Sequence, residues 1–174
     1  MDAVEASTLI YLPPEEVYDF LVDFPQYAKY SEYIQEVRHV GDDPAKYDLE
    51  FTWWKLSYTA RSAVTDTDPP NRIDWELVTD LDAQGYWAIE HVPEEAPDEK
   101  PDASQVVFHV EFNPDSADED MVNIPPFVPL DRIIQKVIPK IETEAHRIVR
   151  RIVADLEGDE RPVELTIHQS PDSV

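Results

Sequence analysis

The run from Pro129 to Gly158 constrains this chain more than any other stretch. Its apolar residues fall at Ile134, Val137, Ile138, Ile141, Ala145, Ile148, Ile152 and Leu156, spaced mostly by three and four. That spacing gathers them on one stripe of a helix, while Lys140, Glu142, Glu144, Arg147 and Arg151 cover the remainder. At ~1.5 Å per residue the part after Pro139 alone spans roughly 25–30 Å, and it needs an extended apolar surface to lie on. The preceding chain offers mostly strands, so the expected architecture is α+β, with one long helix held in the palm of a sheet. Pro139 lacks an N–H and crowds the carbonyl of Gln135, so Leu130 to Ile138 is expected as a separate helical segment, or the helix kinks there. That makes the front segment a candidate lid.

Upstream the period changes. Val4 to Leu12 reads as a first strand, and Pro13-Pro14-Glu15-Glu16 opens a helix with the proline and acids suited to a first turn. Val17, Tyr18, Phe20, Leu21 and Phe24 form its buried side, Pro25 stops it, and Gln26 to Tyr33 predicts a second short helical turn. Ile34 to Val40 is a strand ending at Gly41-Asp42-Asp43-Pro44. Tyr47, Leu49, Phe51 and Trp53 alternate with Asp48, Glu50 and Thr52, as a half-buried strand does. Tyr58 to Asp66, Ile73 to Leu77, Gly85 to His91 and Val106 to Phe112 are also short and bounded by turn residues, the pattern of an antiparallel meander. Val92 to Ala103 and Asn113 to Asn123 read as acidic solvated loops, and Ile124 to Pro129 as a stiff apolar lead into the helix. The tail from Glu160 is expected to be disordered, although Val163, Leu165 and Ile167 would suit a short strand.

A chain of 174 residues suits one domain, here 1–159 followed by the tail 160–174. No apolar run approaches membrane-spanning length and the N-terminus carries no signal-peptide pattern. A cytoplasmic protein is therefore expected, with at most transient membrane contact. The absence of cysteine excludes disulfides, thiolate metal sites and cysteine nucleophiles. Acidic residues number 38 against 14 basic, a net charge of −24. Such a surface suits either a basic partner or a cytoplasm with molar salt, where a Debye length near ~3 Å screens the self-repulsion. The acids are spread over every loop and exposed face, which favours the halophile-type reading. With no basic patch to neutralise phosphates, nucleic acid is not an expected partner.

The order strand, two short helices, six-strand meander and long C-terminal helix resembles the START-like (SRPBCC) superfamily, the helix-grip fold. Three stretches carry the resemblance: Ile10 to Tyr27, with its strand–Pro–helix opening; Gly85-Tyr86-Trp87, similar to the family's Gly-x-Trp; and the helical segment, proline and long helix at the C-terminus. The last is similar to the coenzyme-Q-binding and polyketide cyclase/dehydrase-like branch. The resemblance covers the chain up to about Gly158 and implies a curved antiparallel sheet of about seven strands around the helix, with a cavity between them. None of these stretches is a catalytic motif, and the fold hosts carriers, receptors and enzymes alike.

Alternation assigns Phe51, Trp53, Tyr58, Trp75, Trp87, His91, Phe108 and Phe112 to the face that meets the helix. With Tyr30 at the mouth and Ile134, Ile138 and Ile141 from the helix, they form the expected lining for a hydrophobic ligand, for which the resemblance implies a lipid or isoprenoid quinone. The same aromatics would equally serve as ordinary core. His91 shares a strand face with Trp87 and Ile89. It suits a hydrogen bond to a ligand oxygen or acid–base work, and equally a half-exposed histidine bonded to backbone. The alternatives to a carrier are a cyclase or dehydratase in which His91 or a pocket tyrosine handles a proton, and a protein-partner module with a filled cavity. His109 reads as solvent-facing. No His-Glu-x-x-His is present, and the Asp115 to Pro126 run lacks the glycine and glutamate of an EF-hand, so no metal and no cofactor is expected. The three glycines are too far apart for a phosphate loop, and there is no Gly-x-Ser-x-Gly. A monomer or weak homodimer is expected.

Overall fold

The computed structural model describes the backbone of residues 2–53, 56–78, 82–113 and 130–169, and their side chains except at 2, 43, 44, 53, 56, 130–142 and 169. Strand β1 (Asp2–Ile10) leads into helix α1 (Pro14–Val22), where Pro14 occupies a first-turn position and Glu15 and Glu16 face the positive end of the helix. A 3-10 turn (Phe24–Lys29) follows. Strands β2 (Ile34–Val40), β3 (Asp43–Trp53), β4 (Leu56–Asp68), β5 (Arg72–Leu77), β6 (Ala83–His91) and β7 (Ser104–Phe112) form the meander, followed by helix α2 (Leu130–Glu157) and strand β8 (Thr166–Gln169). All pairings are antiparallel, in the order β2-β3-β4-β5-β6-β7-β1-β8. The chain is thus an α+β helix-grip fold.

The sealed part of the core lies where α1, the 3-10 turn and the last turns of α2 meet the sheet. Val17 and Ile73 are fully buried and Val153 is 1% exposed; Phe20, Leu21, Phe24, Ile89 and Val106 pack around them. Ile148, Val149, Ile152 and Leu156 extend the α2 side of this cluster. The helix ends at Gly158, whose φ of 82° is left-handed backbone that a side chain would strain, and whose N–H donates to the Ala154 carbonyl at 2.9 Å.

Two expectations are corrected. Helix α2 is one continuous helix of 28 residues, so Leu130 to Ile138 is not a separate segment. The missing N–H of Pro139 removes a single backbone bond from a ladder that continues on both sides. Within the described part of the tail, β8 pairs with β1 at Glu5, Ala6 and Ser7. It is held by contacts remote in sequence. Arg161 makes a bidentate pair with Glu157 at 2.8 and 2.9 Å, donates to the Leu9 carbonyl at 2.9 Å and lies 3.9 Å over the Tyr11 ring. The Tyr11 amide donates to the same carboxylate at 2.9 Å. Ser7 then bonds His168 Nε2 at 2.6 Å. Burial alone would raise the Glu157 carboxyl, but Arg161 and the Tyr11 amide hold it below the usual carboxylate range. The acidic loop at 114–123 and the lead at 124–129 lie outside the described residues.

Candidate functional site

The concave face of the sheet is not uniformly filled. Past the sealed cluster, Phe51, Tyr58, Trp75, Trp87, Phe108 and Phe112 are only half-buried, although all six belong to strands. Strand alternation sends them to one face, and pairing brings them together: Phe51 lies opposite Tyr58, and Trp87 opposite Phe108. Two of the ring pairs are near-parallel but offset. Phe51 and Tyr58 are 6.5 Å apart with planes 17° apart, and Trp75 and Phe108 are 6.1 Å apart at 14°. Trp87 tilts against Phe108 at 4.7 Å and 49°.

One close approach sets this floor. Trp75 pairs with Gly85 on the neighbouring strand, and a Cβ at Gly85 would stand 2.6 Å from Trp75 Cζ2 and 3.0 Å from Cε2. It would also run into the His109 carbonyl oxygen. Only a residue without a side chain lets the indole settle onto the strand. The Gly-x-Trp pattern marks the position; sequence alone does not reveal the indole from another strand lying on it.

The remaining candidates are distributed differently. Tyr30 is 6% exposed, packs edge-on against Phe20 at 5.6 Å and donates its hydroxyl to Asp155 at 2.8 Å. Burial and that carboxylate push its phenol up to about 12. It belongs to the sealed half and clips the 3-10 turn to α2, rather than standing at a mouth. His91 shares the inward register of Trp87 and Ile89 but lies at the strand end. Its side chain is 49% exposed and its Nε2 meets Asp102 Oδ1 at 2.5 Å. Alternation gives the face of His91 and not its distance from the helix. The backbones of Trp53, Ile134, Ile138 and Ile141 belong to β3 and α2, but their side chains lie outside the described residues.

Sequence reasoning also missed Tyr27 and Glu144. Tyr27 donates its hydroxyl to the Leu21 carbonyl and approaches Trp87 edge-on at 6.5 Å, forming the border between the sealed and aromatic halves. Burial, and then the Asp23 carboxylate, push its phenol well above the usual range. Glu144, 6% exposed, accepts the Glu32 amide at 3.2 Å, and Arg147 spans Glu144 and Glu32 at 3.5 and 2.9 Å. These contacts pin the middle of α2 to the chain entering β2.

The outer face carries different chemistry. Arg72 bonds Asp74 at 2.9 Å and lies 3.9 Å over Tyr86, which stacks on His109 at 4.9 Å. His109 sits between Glu5 and Glu111 at 3.2 and 3.3 Å and is only 16% exposed, which corrects its solvent-facing assignment. Its hydrogen bond, with one from Gln84, holds the Glu111 carboxyl below the usual range. A groove of about 360 Å³ runs past these residues, but the polar groups in it already satisfy one another. Among the described residues no group of histidines and carboxylates is arranged to hold a metal ion, and no helix is long and apolar enough to cross a membrane.

Comparison with known proteins agrees with the fold that frames this aromatic half. Residues 1–152 match the family described as polyketide cyclase / dehydrase and lipid transport. A START superfamily protein from Mycobacterium smegmatis is similar at 14% identity and a TM-score of 0.63, over 90% of this chain and 99% of that one. The Zhui aromatase/cyclase from Streptomyces sp. R1128 is similar at 15% identity and a TM-score of 0.63, over 89% and 93%. A protein from Thermus thermophilus is similar at 16% identity and a TM-score of 0.57, over 90% and 97%. No curated protein matches the sequence. At these identities the solved structures speak for the fold, while the family match extends over most of the sequence: the chain belongs to the polyketide cyclase/dehydrase and lipid transport family.

Proposed function

We propose that this protein binds a hydrophobic small molecule, a lipid or isoprenoid quinone, between the aromatic half of the sheet and the front of α2, and carries or presents it. The observation that supports this most is the group of six aromatic side chains on one sheet face that remain half-buried beside a cluster sealed to 0–8% exposure. Large aromatics left part-open are costly to leave in water and gain from a ligand that covers them. A ligand shedding ~300 Å² of apolar surface gains about 7 kcal/mol gross at ~25 cal/mol per Å², less the entropy of capture. Phe51, Tyr58, Trp75, Trp87, Phe108 and Phe112 are the contacting residues in this reading, with Trp53, Ile134, Ile138 and Ile141 completing the lining. The protein works in a saline cytoplasm, as a monomer or weak homodimer, with at most transient membrane contact.

The family name also admits a cyclase or dehydratase. Such chemistry needs a titratable group beside the bound carbons. His91 is engaged by Asp102 at the exposed strand end, which leaves such chemistry to a pocket tyrosine such as Tyr58; we favour the carrier reading. The test is gentle purification in high salt followed by organic-solvent extraction and mass spectrometry. A stoichiometric quinone or lipid is the expected result. An empty extract, with no thermal shift on adding quinones or fatty acids, contradicts the proposal.

A further inference from the structure

Strand β2 closes one end of the sheet, and among the described residues no strand pairs with its outer side. That edge is open to solvent: Gln35, Glu36, Arg38 and His39 are all exposed. A strand edge is a template for another strand, and edge strands commonly carry charge that holds other chains away. On β2 the charges alternate in sign. Glu36 and Arg38 stand on the convex face opposite Glu50 and Asp48 of β3, while Val37 between them is buried opposite Leu49.

This pattern makes the strand complementary to itself in one register. In an antiparallel pair, directly opposed residues share a face, and a two-fold axis passes through an opposed pair. With the axis at Val37, Glu36 of each copy faces Arg38 of the other, and Gln35 faces His39. Moving the axis to Glu36 or Arg38 sets like charges against each other, which is destabilising. The surroundings fit the same occupant. The chain carries 38 acids against 14 bases, yet around this edge Glu36, Asp48 and Glu50 are matched by Arg38, Lys46 and Arg61. Arg61 bonds Asp48 at 2.9 Å and Arg38 bonds Glu50 at 3.3 Å. A second copy meets a balanced patch here, and molar salt shortens the reach of the repulsion between two chains of net charge −24 to ~3 Å.

We propose that the free edge of β2 is a homodimer surface, to which a second copy of this chain adds its own β2, antiparallel about Val37. Because opposed residues share a face, the pairing joins two sheets into one and sets both concave faces on the same side. A single strand edge is a small interface, so dimer exchanges with monomer. The inference stands apart from what the aromatic half binds.

The experiment is sedimentation equilibrium of the full chain in high salt over a concentration series, with charges swapped at the edge. Wild type is expected to show a reversible monomer–dimer equilibrium. Arg38→Glu and Glu36→Arg each set like charges face to face and are expected to weaken it at least about tenfold. An equimolar mixture of those two variants pairs an acidic edge with a basic one and should restore the dimer. The double variant Glu36→Arg/Arg38→Glu exchanges the two charges, is again self-complementary and should dimerise alone. If Arg38→Glu, whose new charge lies opposite Asp48, does not fold, the loss in Glu36→Arg and its recovery in the double variant carry the test. A wild type that stays monomeric up to about 1 mM, a dimer indifferent to both swaps, or a loss that neither the mixture nor the double variant reverses overturns the proposal.

Discussion

The two halves of the concave face are built from the same strands and differ in what covers them. In the sealed half, Ile73, Ile89 and Val106 meet α1, the 3-10 turn and the last turns of α2 through Val17, Phe24 and Val153. A few residues along the same strands, Trp75, Trp87 and Phe108 meet one another as rings and remain half-buried. Side chains that interdigitate exclude water, whereas rings left half-buried gain from further cover. In the proposed function the first half supplies stability and the second serves the ligand.

That division is open to attack from each side. The largest effect is expected from Ile73→Ala, which deletes a fully buried side chain in the sealed half. It should lower the unfolding free energy by about 2–5 kcal/mol in chemical denaturation. The contrasting change is in the other half: Phe51→Leu should cost about 1 kcal/mol of stability yet weaken ligand binding about tenfold, as read by titration. If the two substitutions cost the same stability, the distinction fails.

Glu157→Gln sharpens the picture at the sealed end. The Glu157 carboxylate is 1% exposed and serves Arg161 and the Tyr11 amide. Its loss should cost about 2 kcal/mol near neutral pH, the range for hydrogen bonds to charged groups. Because the folded carboxyl is held below its usual range, its contribution is present above about pH 4.3 and is lost as pH falls through the lowered folded value. Urea unfolding of variant and wild type should therefore converge on acidification, with no change in ligand affinity at neutral pH. A gap that persists in acid rules out this charge as the cause.

The smallest effect is expected from ending the chain at Glu164, which removes β8 but leaves Arg161 and Val163. Stability should fall by about 1 kcal/mol or less, and the exposed β1 edge should favour a concentration-dependent dimer in light scattering. Ligand affinity should not move, since β8 lies at the far edge of the sheet.

Much of the frame was legible because its signals are local. Proline and acids at Pro13 to Glu16 start α1, and alternation at Tyr47 to Trp53 and at Val106 to Phe112 gives strands and faces. What escaped is set by contacts distant in sequence. Strand β8 is marked only by the short alternation of Val163, Leu165 and Ile167, and what holds it is the β1 edge and the Arg161–Glu157 pair. The inward register of His91 is readable from its neighbours, but the lack of cover above it is not. A glycine before an aromatic pair is visible at Gly85, whereas the indole resting on it comes from Trp75 across the ladder.

The central claim is that a ligand sits on the aromatic half and nowhere in the sealed half. Intermolecular nuclear Overhauser effects between a bound naphthoquinone and the side chains of the protein in molar salt test it most directly. The account predicts contacts from the quinone ring to Phe108, Trp75 and Tyr58, and none to Val17 or Val153. Contacts to the sealed residues, or a saturable complex with none to the aromatic rings, would contradict it.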